Sequence, residues 1–172
     1  MYAGNRGMDG AEVNWVNRVK IALGVARALA HIHEVGKVPH GNLRSSNVLL
    51  DKDGNARVGD SFLTRLINPS LVSSRLVGYR APEANNKDSL GFITHQADIY
   101  SFGVLLLEII SGRTPVQTED SADWQSIFEW ATPLVQSNSF TQILDPSIAV
   151  MPDMIEIQKV VDLVYACTQH VP

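Results

Sequence analysis

Two side chains in this sequence are placed to hold a hard cation. Asn47 closes the run His40-Gly41-Asn42-Leu43-Arg44-Ser45-Ser46-Asn47, and Asp60 follows the short apolar stretch Ala56-Arg57-Val58. Between them lie Val48-Leu49-Leu50 and the turn residues Asp53-Gly54-Asn55, a pattern that predicts two short strands joined as a hairpin. An amide oxygen and a carboxylate at the ends of adjacent strands can converge on a Mg²⁺ that bridges phosphates. Arg44 would add positive charge beside them. By themselves, Asn and Asp next to turns cap backbone groups more often than they bind metal.

The surrounding elements must hold this pair in place. From Trp15 to His33 the residues Val16, Val19, Leu23, Ala26 and Ala30 recur at helical spacing, which predicts a one-faced helix with Arg18, Lys20 and Arg27 in solvent and Gly36 as its stop. Gln96–Ile110 reads as a helix apolar on most faces, with Thr94 as N-cap and Ser111-Gly112 as its end, and hence as the core axis. Asp123–Trp130 and Met154–Thr168 are further helices, the second carrying Ile157, Val160, Val161, Val164 and Cys167 on one face. Residues 59–95 lack periodicity and are longer than structureless loops usually run, which points to a functional loop. The expectation is one mainly helical unit with a single small hairpin.

Composition narrows the partners. With 14 Lys+Arg against 18 Asp+Glu the net charge is −4, so no electrostatic footprint for nucleic acid is present. Cys167 is the only cysteine and sits among apolar neighbours, which suits a buried thiol in a reducing compartment. The first residues hold no apolar core of a signal peptide. The most apolar run, 99–107, is nine residues long, against about 20 for a spanning helix, so no transmembrane segment is expected in this chain.

The order of further motifs points to a family. Gly78-Tyr79-Arg80-Ala81-Pro82-Glu83 follows Asp60, and Asp98-Ile99-Tyr100-Ser101-Phe102-Gly103-Val104-Leu105-Leu106-Leu107-Glu108 follows that. Asp60 stands eighteen residues after Asn42. This series resembles the C-terminal lobe of a protein kinase, whose landmarks are H-R-D-L-x-x-x-N, D-F-G and A-P-E in that order. In style it looks like the plant leucine-rich-repeat receptor-like kinases, and the resemblance covers essentially all 172 residues. It implies a protein-kinase-like fold over 1–172, with ATP and Mg²⁺ as cofactors and Asn47 and Asp60 as metal ligands. Leu49 would be the floor of the adenine pocket. His40 and Asp98 would be scaffold residues, Asp98 holding the catalytic-loop backbone by hydrogen bonds. Glu83 would be a buried anchor paired with a later Arg.

Several positions depart from a working kinase. Asn42 stands at the catalytic Asp and cannot take a proton near neutral pH, a loss of about 10²–10⁴-fold where a base is essential. Gly41 replaces the neighbouring Arg that grips a phosphorylated loop, leaving Ser70, Ser73 or Ser74 without that receptor. Arg44 replaces a Lys with altered reach, and Asp60-Ser61-Phe62 replaces Asp-Phe-Gly. Leu76 replaces a Thr. No Gly-rich loop or strand-borne Lys precedes, Gly4, Gly7 and Gly10 reading as plain loop. The chain is therefore expected to be a C-lobe fragment of a receptor-like pseudokinase with an exposed apolar face. It would act through signalling proteins or co-receptor kinases at the cytoplasmic side of the plasma membrane. The alternatives are a slow Ser/Thr kinase completed by an N-lobe and a truncated product without a role of its own.

Overall fold

Local capping signals place most of the helices. The computed structural model describes residues 14–61, 78–82, 94–117, 125–148 and 150–169. Asn14 accepts the Asn17 N–H at 2.9 Å and starts helix α1, Trp15–Val35. Thr94 accepts the Ala97 N–H at 3.0 Å and starts α2, His95–Ser111, which Gly112 closes. Asp153 caps α4, Met154–Thr168. Helix α2 is the axis of the core, burying Phe102, Val104, Leu105, Leu106, Leu107 and Ile110. Its contact with α4 is close: a Cβ on Gly103 would lie 2.6 Å from Thr168 Cγ2 and 2.8 Å from Cys167 Cβ. Helix α4 brings Ile157, Val161 and Val164 to that interface, with Cys167 half-buried beside them.

The orientation of α1 differs from the expected one. Its buried stripe is Trp15, Arg18, Ala22, Val25 and Leu29, whereas Val16 is 71% and Leu23 48% exposed. Arg18, expected in solvent, is buried because its guanidinium is fully engaged. It donates to Asp145 Oδ2 at 2.7 Å, to the Ile109 carbonyl at 2.6 Å and to Ser147 Oγ at 3.2 Å. A paired and hydrogen-bonded charge can leave water, and counting apolar residues does not register that option.

The hairpin forms where expected, β1 (Val48–Leu50) pairing antiparallel with β2 (Ala56–Val58) in the register Val48↔Val58, Leu49↔Arg57 and Leu50↔Ala56. Asp51 organises its turn by accepting the N–H groups of Asp53 and Asn55. A second ladder, β3 (Val116–Gln117) with β4 (Gln125–Ser126), was not expected, since two-residue strands carry no readable alternation. The following helix α3 spans Ile127–Gln136 rather than Asp123–Trp130. Its start is fixed by a capping box in which Ser126 Oγ accepts the Glu129 N–H and Glu129 accepts the Ser126 N–H. It runs on through Pro133. No described helix is long and apolar enough to cross a membrane.

Candidate functional site

The loop between α1 and β1 hangs from one buried carboxylate. Asp98, 1% exposed in the first turn of α2, accepts the His40 N–H at 2.6 Å and the Gly41 N–H at 2.8 Å, and its Oδ2 lies 2.8 Å from His33 Nε2. Both backbone groups need an acceptor, so the carboxylate receives and His33 donates. Gly41 adopts φ 76°, the left-handed region where a side chain costs energy. The residue type at this position thus suits the backbone the clamp imposes.

His40 is fully buried and its two ring nitrogens are assigned by their partners. Nδ1 accepts the Asn42 N–H at 3.1 Å, so the proton sits on Nε2, which donates to the Gly59 carbonyl at 3.0 Å. Burial pushes its pKa down, partly offset by the Asp98 charge and the Gly59 bond, and the ring stays neutral. One imidazole therefore ties the loop of Asn42 to the residue preceding Asp60.

Asn42 and Asn47 are joined as well. Asn47 donates Nδ2 to the Asn42 carbonyl at 2.8 Å, and its own carbonyl accepts the Gly59 N–H at 2.9 Å. Asn47 Oδ1 has no hydrogen bond among the described residues, and Asp60 is exposed with φ 61°, a conformation Asp tolerates. The Gly59 to Asn47 bond sets these two residues on adjoining backbone at the open end of the hairpin. Their donor set, one amide and one carboxylate oxygen, fits Mg²⁺, which binds few protein ligands and keeps waters or phosphate oxygens for the rest. Among the described residues no group of three or more His, Cys, Asp or Glu is placed to hold a metal. Leu49 points away from the core, 63% exposed. Asn42 Oδ1 and Arg44 Nε are both buried without a hydrogen-bond partner. Glu83, Leu76, Phe62, Ser70, Ser73, Ser74 and the early glycines lie outside the described residues.

A second buried network escaped the sequence reading. Glu108 on α2 accepts the Tyr79 hydroxyl on Oε2 and the Ser45 hydroxyl on Oε1, the latter at 2.9 Å. Ser101 Oγ donates to the Tyr79 carbonyl at 2.8 Å. Burial pushes the Glu108 carboxyl up despite the two hydroxyls, and burial with the Glu108 charge pushes the Tyr79 phenol up. Residues 78–82 are thereby fixed to the loop and to the core helix together. One signal pointed here: Glu108 is the only charged residue between Phe102 and Ile110, and a carboxyl in so apolar a run needs partners.

Comparison with known proteins gives a consistent result. The family model for protein tyrosine and serine/threonine kinases matches residues 8–172. The chain is 46% identical to a C-type lectin receptor-like tyrosine-protein kinase of Arabidopsis thaliana over 95% of its own length and 31% of that protein's. Leucine-rich-repeat and proline-rich receptor-like kinases of the same plant are similar too, and the chain spans 17% and 23% of them. Among solved structures it is similar to the pseudokinase domain of BIR2, an immune regulator of the RLK/Pelle family, with TM-score 0.73 and 32% identity over 92% of this chain and 47% of that one. It is also similar to the maize SIRK1 kinase domain bound to AMP-PNP, with TM-score 0.78 and 26% identity over 94% of this chain and 55% of that one.

Proposed function

The chain belongs to the protein tyrosine and serine/threonine kinase family, its relatives being plant receptor-like kinases, and from that premise we propose that it is a pseudokinase C-lobe working as a signalling scaffold. The observation that carries the reading is Asn42. It occupies the place of the catalytic Asp in a loop whose backbone is still clamped by Asp98, and its amide cannot accept a proton near neutral pH. Gly41 points the same way, since it removes the phosphate-gripping Arg and leaves a backbone at φ 76° without strain. Arg44, Asn47 and Asp60 keep charge and oxygen ligands, so a bound nucleotide would be held by Asn47 and Asp60 through Mg²⁺ over Leu49, weakly. His40 and Asp98 act as scaffold. The partners are signalling proteins or co-receptor kinases at the cytoplasmic face of the plasma membrane, and 1–172 is one kinase-like unit.

A second reading has a specific observation behind it: the side-chain oxygens of Asn47 and Asp60 carry no hydrogen bond among the described residues, which supports slow phosphoryl transfer, a reaction driven mainly by positioning and charge. Thermal titration with MgATP separates the two. A ligand whose Kd is ten times its concentration stabilises by under about 0.1 kcal/mol, so the scaffold reading expects no resolvable shift in Tm at millimolar MgATP. A Mg²⁺-dependent shift that disappears in Asp60→Ala would favour the slow kinase.

A further inference from the structure

We propose that His40 is an acid-sensitive latch: taking up a proton at Nδ1 releases the Asn42 N–H and loosens residues 40–42 while the helical core stays closed. The latch is built from protein groups alone: the His40 ring, the Asn42 N–H and the Gly59 carbonyl. In the closed loop Nδ1 is an acceptor, receiving the Asn42 N–H at 3.1 Å, and Nε2–H donates to the Gly59 carbonyl at 3.0 Å. A second proton has one place to go, Nδ1, where it would face the N–H it now accepts. Two donors cannot share that position, and His40 is fully buried, so no water stands by to replace the bond.

The groups facing the ring come from each element packed against it. Helix α2 contributes Asp98, whose carboxylate favours the cation, and the end of the hairpin contributes the Gly59 carbonyl and Asp60, which do the same. Helix α1 contributes His33, which opposes it and is itself in edge contact with His95 at 4.5 Å between ring centroids. Burial outweighs the attractive groups, so the closed loop holds the proton less tightly than an open one. The sign follows: with the folded pKa below the ordinary 6.5, closure is fully favoured above 6.5 and loses ground as pH falls beneath it. Uptake of one proton on opening makes that loss about tenfold per pH unit until the folded imidazole titrates as well.

The test is amide hydrogen exchange by NMR on the intact chain between pH 7.5 and 5, corrected for intrinsic rates, with imidazole ¹⁵N shifts read on the same samples. The expected result is that protection of the Asn42 amide falls below about pH 6.5, by up to about tenfold per pH unit, while that of Val104 in the core holds, and that the slope vanishes in His40→Gln. Parallel loss at Asn42 and Val104 would overturn the proposal, being global unfolding. Protonation of His40 with unchanged protection at Asn42 would overturn it too. So would unchanged protection at Asn42 across that range with the ring still neutral. These readouts come from the wild-type chain, so the proposal stays testable if His40→Gln fails to fold.

Discussion

Replacing Asp98 by Asn should cost most of the stability of the loop-bearing face. The carboxylate accepts from His33 Nε2, His40 N and Gly41 N with two oxygens, Oδ2 serving the first two. An amide retains one oxygen. Its least harmful placement keeps the oxygen at Oδ2 and turns NH₂ toward Gly41, losing one bond to a charged group, leaving a buried N–H facing a donor and reducing the other two bonds to neutral strength. Hydrogen bonds to charged groups are worth about 1.5–3 kcal/mol, neutral ones about 1, and an unsatisfied buried group costs about 1–3, so even the low ends total about 3.5 kcal/mol. That is a large share of a typical stability of about 5–15 kcal/mol. Urea unfolding followed by circular dichroism measures it as a lower midpoint at unchanged slope. Asp162→Asn, on the exposed side of α4, serves as control and should move the stability by less than about 0.5 kcal/mol. A loss under about 1 kcal/mol for Asp98→Asn would refute the clamp as drawn.

Other perturbations follow from the same geometry. Gly41→Ala should cost about 1–2 kcal/mol in urea, because φ 76° disfavours a Cβ. Gly103→Ala, whose Cβ would meet Thr168 Cγ2 at 2.6 Å, should cost about 1–3 kcal/mol and lower Tm. Arg18→Met alone strands the Asp145 carboxylate and should cost about 3–5 kcal/mol, while adding Asp145→Leu should recover much of it in a double-mutant cycle. Glu108 carries a raised pKa, so the wild type should lose stability as pH climbs above the ordinary 4.5, and the advantage of Glu108→Gln over it should grow with pH in the same range. A difference that stays flat from pH 4 to 7 would contradict a carboxyl whose pKa burial has raised.

The parts of this molecule that sequence makes visible are those stabilised by neighbours in sequence. Thr94, Gly112 and Asp153 cap their own helices within one turn, so α2 and α4 lie where periodicity puts them. The hairpin is equally local, its turn closed by Asp51, Gly54 and Asn55. What was not visible depends on distant partners. The rotation of α1 follows from Arg18 meeting Asp145, 127 residues on. Glu108 finds Ser45 and Tyr79 from 63 and 29 residues away, and no spacing rule encodes such a pairing. The tautomer of His40 is fixed by Gly59, reached only once the hairpin has folded back.

A clamped loop with Asn42 in place of a base should be unable to move labelled γ-phosphate from ATP to a hydroxyl. The assay uses the full protein with MgATP and a generic Ser, Thr and Tyr acceptor mixture, comparing wild type with Asn42→Asp. Restoring a carboxylate at a clamped position is worth up to about 10²–10⁴-fold where a base limits transfer. The expected result is no transfer by the wild type above a blank lacking protein. Wild-type transfer at the rate of the Asn42→Asp variant would contradict it.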